Sequence, residues 1–213
     1  MKSMRPISSE PILYLIAGIM AVGGFASAAL TSDARWMEWH LSRLGEGGQL
    51  SSIVFNLSCA MASLLMGEFA RRLVNDLSII AMPKKTLASA RRIIGWGLGI
   101  VAVCMMGIAV FPFDQHPVVH NIFGYSMTAA YLIMITQLPV LLPLFTKKFV
   151  IFTYSFVVLM VGLFGTYFAN GSTNPKLIYI EIIGLLFFFL WVIMLVRSIR
   201  VHNRSYRDNT LHG

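Results

Sequence analysis

Six apolar blocks, each about as long as a bilayer is thick, constrain this chain more than any other feature. They run over residues 11–30, 51–70, 93–111, 118–144, 149–168 and 177–196. About 20 residues of helix are needed to cross the hydrocarbon core. In that medium an unpaired backbone N–H or C=O costs several kcal/mol, so such blocks are predicted to be helices. Only 12% of the residues are charged, about half the roughly one quarter of a soluble domain. The expected fold is therefore all-α: a single polytopic membrane domain over residues 1–213, built as a bundle of six transmembrane helices, with no room for a separate soluble domain.

The net charge of +8 raises the question of nucleic acid, and its distribution answers it. Of the 17 basic residues, 14 fall in the N-terminal tail, in 71–92, in 147–148 and in the C-terminal tail. The remaining loops hold only Arg35, Arg43 and Lys176. By the positive-inside rule both termini are cytoplasmic. The basic groups then face anionic lipid headgroups, each being worth about 1 kcal/mol of attraction. The expected setting is a bacterial plasma membrane, with lipids as partners and no nucleic acid; no protein partner is identifiable. Residues 1–29 also read as a signal peptide with Ala26-Ser27-Ala28 as a cleavage site. Their apolar core of about 20 residues exceeds the usual signal length and suits a retained helix.

Within the blocks, small residues four apart, Gly24 with Ala28 and Ala17 with Ala21, are expected to let helix backbones approach, as is the Gly95/Gly99 pair. Cys59 and Cys104 are expected as buried free thiols. Glu68 has Arg71 and Arg72 three and four residues on, the spacing of a local ion pair. Residues 71–92 read as an inside loop with an amphipathic stretch interrupted by Pro83. Asn56, early in the second block, needs a partner on another helix. The fourth block holds most of the intramembrane polarity, and Pro139 and Pro143 are expected to bend or end it.

Loop 31–50 is the longest and most polar on the outer face. Trp36 and Trp39 suit an interfacial anchor, with a short helix ending near Gly45. The same loop brings Asp33, Glu38, His40, Ser42 and Glu46. Opposite it lies the hinge Phe111-Pro-Phe-Asp-Gln-His-Pro-Val-Val-His-Asn121. His116 and His120, four apart, would share a helical face, and with Asp114 or His40 would offer the three ligands of a catalytic zinc. Against this, Pro117 favours the first helical turn and leaves His116 at or before the cap, while Asp114 suits the N-cap of that helix. Asp114, His116, His120 and His40 are thus the catalytic candidates. Ser42, Asn56, Asn121, Tyr125 and Glu181 are the candidates for ligand contact. No phosphate-binding loop, dinucleotide fingerprint or nucleophile elbow occurs. No charged residue is expected at mid-membrane, which disfavours an ion-coupled transporter.

Two stretches carry a resemblance: Leu41-Ser-Arg-Leu-Gly-Glu-Gly-Gly-Gln-Leu-Ser-Ser-Ile-Val-Phe-Asn56 and Val110-Phe-Pro-Phe-Asp-Gln-His-Pro-Val-Val-His120. With six helices they resemble the bacterial membrane family known as domain of unknown function nine-nine-eight, which looks related to the Frag/DRAM/Sfk six-helix group. The family pattern maps onto Ser42, Gly45, Asn56, Phe111, Pro112, Asp114 and His120 or His116, with Arg43 standing where the family has an aspartate. The resemblance implies no reaction; by analogy with eukaryotic relatives it implies lipid handling.

The leading expectation is a non-enzymatic or lipid-interacting six-helix membrane protein of uncharacterised activity, with no cofactor. Its polar site is formed on the outer face by loop 31–50 and hinge 111–121. The alternatives are a metal-dependent membrane hydrolase acting on a lipid, holding zinc through His116, His120 and Asp114, and a small-solute permease.

Overall fold

The computed structural model describes residues 9–77, 83–142, 145–171 and 176–211, with side chains of the last helix described to His202. The fold is all-helical, with no strand among the described residues. Six helices are long and apolar enough to cross a membrane. They are α1 Glu10–Leu30, α2 Leu50–Leu77, α3 Lys84–Val110, α4 Pro117–Leu141, α5 Lys147–Ala169 and α6 Leu177–Leu211. The apolar blocks mark where these helices lie, and prolines mark several of their starts. Pro117 is at the first turn of α4, where its missing N–H is no loss. Thr146 caps α5, its side chain accepting from Phe149 N.

The expected inside loop over 71–92 is corrected. Helix α2 continues to Leu77 and α3 begins at Lys84, so most of this stretch is helix. The cause is packing: Met66, Phe69, Leu73 and Leu77 are all fully buried, continuing one apolar stripe at helical spacing past the basic residues. Pro83 does not interrupt a segment but stands just before α3. Pro139 lies inside α4, which ends at Leu141; Pro143 falls outside the described residues. Glu68 pairs with Arg71 and Arg72 at 2.6 and 2.7 Å, as the spacing implied.

Helix α2 packs between α1 and α3, and α3 packs on α4. The α1–α2 approach uses a different register from the one expected. A Cβ at Gly24 would meet nothing within 4 Å, whereas one at Gly23 would overlap Ser58. One turn on, buried Ser27 donates to the Ser51 carbonyl at 2.7 Å. Likewise Gly99 faces open space and the tight contact is Gly97 against Met134. Helices α4, α5 and α6 meet through large rings, with Trp191 buried beside Phe149 and Tyr131. Cys59 and Cys104 are buried free thiols.

Glu10 forms an ion pair with Arg200, so the start of α1 and the late part of α6 lie at one end of the bundle. At the same end the buried Asp76 carboxylate accepts from both Ser9 N and Ser9 Oγ, at 3.0 and 2.7 Å. Loop 31–50 and hinge 111–116 occupy the opposite end.

Candidate functional site

Loop 31–50 contains a short helix that ends at Gly45, as the sequence suggested, and a second one before it. Both are 3-10 turns, Trp36–Glu38 and Leu41–Gly45. Glycines shape the end of the second turn and the link to α2. Gly47 and Gly48 both have positive φ, 80° and 64°, which side-chain-bearing residues rarely adopt. Gly45 lies so close to the Asn56 side chain that a Cβ would overlap it. Asn56 Nδ2 donates to the Gly45 carbonyl at 2.9 Å, so its partner is the loop and not another helix. Leu44 is buried against Phe55, Cys59 and Ala109, which seats the second turn on the bundle.

From that seat the loop is tied to three further places. Gly47 N donates to Asp114 in the hinge at 3.1 Å. Leu41 N donates to the Glu181 carboxylate of α6. Ile178 N donates to the Trp39 carbonyl at 3.1 Å. Asp114 is therefore not the N-cap of α4. His116 takes that position without a side-chain cap bond. With Pro117 at the first helical position, His116 lies outside the helix. The two hinge histidines consequently part: His116 is exposed, against the edge of Phe111, whereas His120 is 6% exposed.

His120 turns toward loop 31–50. Its Nε2 is 3.0 Å from Ser42 Oγ, and its Nδ1 is 2.9 Å from the Phe111 carbonyl. Ser42 Oγ is also 2.9 Å from His40 Nδ1. A carbonyl only accepts, so His120 Nδ1 carries a hydrogen, and in the neutral form of the ring Nε2 presents a lone pair. The Ser42 hydroxyl donates to that lone pair. Having one hydrogen, it can then only accept from His40 Nδ1–H. This leaves His40 Nε2 without a hydrogen, facing Glu46 Oε1 at 3.6 Å. Glu46 Oε1 is buried and has no hydrogen-bond partner among the described residues.

The charges around this chain follow from the same geometry. Burial lowers the His40 pKa to about 4, helped by nearby His120 and Arg43, so the ring is neutral at pH 7. Burial raises the Glu46 pKa, against the opposing Arg43 guanidinium at 2.6 Å. Arg43 also holds Asp33 at 3.2 Å. The Asp33 carboxyl lies below its ordinary range, chiefly through the Arg35 backbone N–H and then Arg43. Arg43 thus joins two loop carboxylates. Phe113, from the hinge, packs edge-on to both His40 and His120, at 4.9 and 5.8 Å between ring centres.

Of the residues singled out in the sequence, Ser42, His40, His120, Asn56, Asp114 and Glu181 converge on this end through loop 31–50. Asn121 and Tyr125 do not; both are exposed on α4. Of the proposed zinc ligands, Asp114 accepts from Gly47 N, and both His120 nitrogens are within hydrogen-bond distance of other groups. Among the described residues no three metal-ligating side chains converge. A groove of about 410 Å³ opens beside the site, between the start of α2 and the end of α3. Gly45, Asn56, Ile53 and Leu57 line it, and it includes neither Ser42 nor a histidine.

No family model matches the chain, and no curated protein or solved structure is significantly similar to it.

Sequence reading missed Phe113 and the Phe111 carbonyl, and named Glu46 only as one loop acid among several. The run of aromatics in Phe111-Pro-Phe113 beside two histidines was the available signal for ring packing. Nothing in the sequence marks a backbone carbonyl as the group that fixes a tautomer.

Proposed function

We propose that this is a plasma-membrane protein with both termini in the cytoplasm, whose loop 31–50 end faces outward and engages the polar headgroup of a lipid. The basic residues support the orientation, because they gather at the other end of the bundle. The observation that carries the headgroup reading is Glu46 Oε1: a buried acceptor, without a partner among the described residues, 3.6 Å from the bare His40 Nε2. Two facing acceptors repel, and an ammonium donor from a headgroup relieves both at once. The apolar groove beside Gly45 would take part of an acyl chain. The resemblance to the nine-nine-eight family points in the same direction, toward lipid handling.

Two measurements test this reading. Protein purified in mild detergent should retain one lipid class in excess over the bulk membrane, and Glu46→Ala should lose it. A lipid profile matching that of an unrelated membrane protein would remove the headgroup reading. For orientation, Gln49→Cys should react with an impermeant maleimide on intact cells and Lys148→Cys should not. The reverse pattern would invert the topology.

A second reading, hydrolysis of a lipid, is favoured by one specific observation: Ser42 lies between two imidazoles. In its zinc form it lacks a converging ligand set among the described residues.

A further inference from the structure

We infer that Ser42 is a nucleophile, with His120 as its general base, for acyl transfer from an ester or thioester held at the outward end of the bundle. This rests on the proposed lipid reading for its substrate class, an acylated membrane lipid. The geometry itself does not depend on that reading.

Three features carry it. Ser42 Oγ is 3.0 Å from His120 Nε2, within the 2.6–3.2 Å reach required of a base. His120 is in turn oriented by a third group, the Phe111 carbonyl at 2.9 Å from Nδ1, which selects the tautomer with a lone pair toward the serine. This is the order nucleophile, base, orienting group that activates a serine hydroxyl. Third, the base is sheltered, since His120 is buried and the Phe113 ring packs on it edge-on. The neutral carbonyl replaces the carboxylate of the usual triad, so it fixes the imidazole without stabilising an imidazolium by charge. The same serine touches His40 Nδ1 at 2.9 Å, which supplies a second hydrogen to Oγ and holds the hydroxyl in line.

The steps balance as follows. Ser42 Oγ forms a bond to the acyl carbonyl carbon while its proton passes to His120 Nε2. The tetrahedral adduct breaks the bond to the alcohol or thiol leaving group, which takes that proton. Water then attacks the acyl-serine, giving its proton to His120 Nε2. The acyl–Oγ bond breaks, Ser42 recovers the proton, and a carboxylic acid leaves.

A staple holding loop 31–50 on α4 would show the same contacts, so the test reads reactivity. Full-length protein in detergent is treated with a fluorophosphonate probe and mapped by peptide mass spectrometry. The expected result is one adduct, on Ser42. It should be absent in Ser42→Ala, unchanged in a Ser126→Ala control, and formed roughly a hundredfold more slowly in His120→Ala, the scale of a general base. If His120→Ala does not fold, the labelling rate of the natural protein is followed from pH 5 to 9. It should rise with pH and then level off; the groups facing the His120 imidazole are Ser42, His40, the Phe111 carbonyl and Phe113. No adduct on Ser42 in folded protein, an adduct elsewhere only, a pH-independent rate, or a rate equal in His120→Ala would each overturn the inference. Lipid analysis of the same sample separates the two claims. Bound lipid with an unlabelled Ser42 leaves the headgroup reading and removes the nucleophile. A labelled Ser42 without a retained lipid class does the opposite.

Discussion

Ser42 in loop 31–50 and His120 in α4, 78 residues apart in sequence, are joined by a 3.0 Å hydrogen bond that closes the end of the bundle. His120 also binds the Phe111 carbonyl, so one buried ring holds a loop, a hinge and a helix together. His120→Ala would leave the Phe111 carbonyl without its partner and open a void. The expected cost is about 1–3 kcal/mol of stability. His116→Ala removes an exposed ring and should stay within about 0.5 kcal/mol. Thermal unfolding of both variants in one detergent gives the comparison, and equal losses would contradict the assignment of His120 as the inward histidine.

The pairing of Gly23 with Ser58 gives a second contrast. In Gly23→Ala the new methyl would overlap both Oγ and Cβ of Ser58, and rotation of Ser58 cannot clear Cβ. Overpacking of this kind costs typically about 1–3 kcal/mol. Gly24→Ala meets open space and should be neutral or slightly stabilising, because alanine is the better helix former. Unfolding midpoints of the two variants decide between this register and the Gly24/Ala28 one.

Acid sensitivity should trace to His40. Its folded pKa is about 4 against an ordinary 6.5, so the unfolded state binds more protons between these values. Stability from this residue is complete above pH 6.5 and is lost as pH falls toward 4. Glu46 acts oppositely: its raised pKa favours the protonated folded form, a contribution that fades as pH rises above its ordinary 4.5. His40→Gln should therefore flatten the decline between pH 6.5 and 4, while Glu46→Gln should leave that decline in place. Unfolding followed across this range is the check; a parallel curve for His40→Gln would refute the assignment.

At the other end of the bundle, Asp76 accepts two hydrogen bonds from Ser9 while buried in α2. Asp76→Ala should cost about 2–4 kcal/mol, since it strands a buried donor and removes charge-assisted bonds. Ser9→Ala keeps the backbone N–H bond and should cost less. Denaturation of the two variants would settle the order.

Much of the fold was legible in the sequence, because length and apolarity alone decide whether a segment spans a membrane. The ends of α2 and α3 were not: the charges of Arg71 and Arg72 read as a boundary, whereas the buried Leu73 and Leu77 carry the helix on. The site was half legible. Its residues were named and placed at one end, but Asp114 was assigned to the wrong partner. Local rules favour an aspartate capping the helix that follows it, and a long-range bond to Gly47 N prevailed.

The sequence by itself thus determined six apolar helices, a proline-led start for α4, and polar residues in loop 31–50 and in hinge 111–121 on one side. These depend on what each segment does in hydrocarbon, which is a property of the segment alone. Only the tertiary structure decided that Ser42 meets His120 and not His116, that Glu181 takes the Leu41 N–H, and that Gly23 and not Gly24 touches α2. Such choices depend on the rotation and neighbours of each helix. Lipid is as apolar as the leucines it surrounds, so hydrophobic patterning leaves that rotation unmarked, and close packing with a few buried hydrogen bonds sets it.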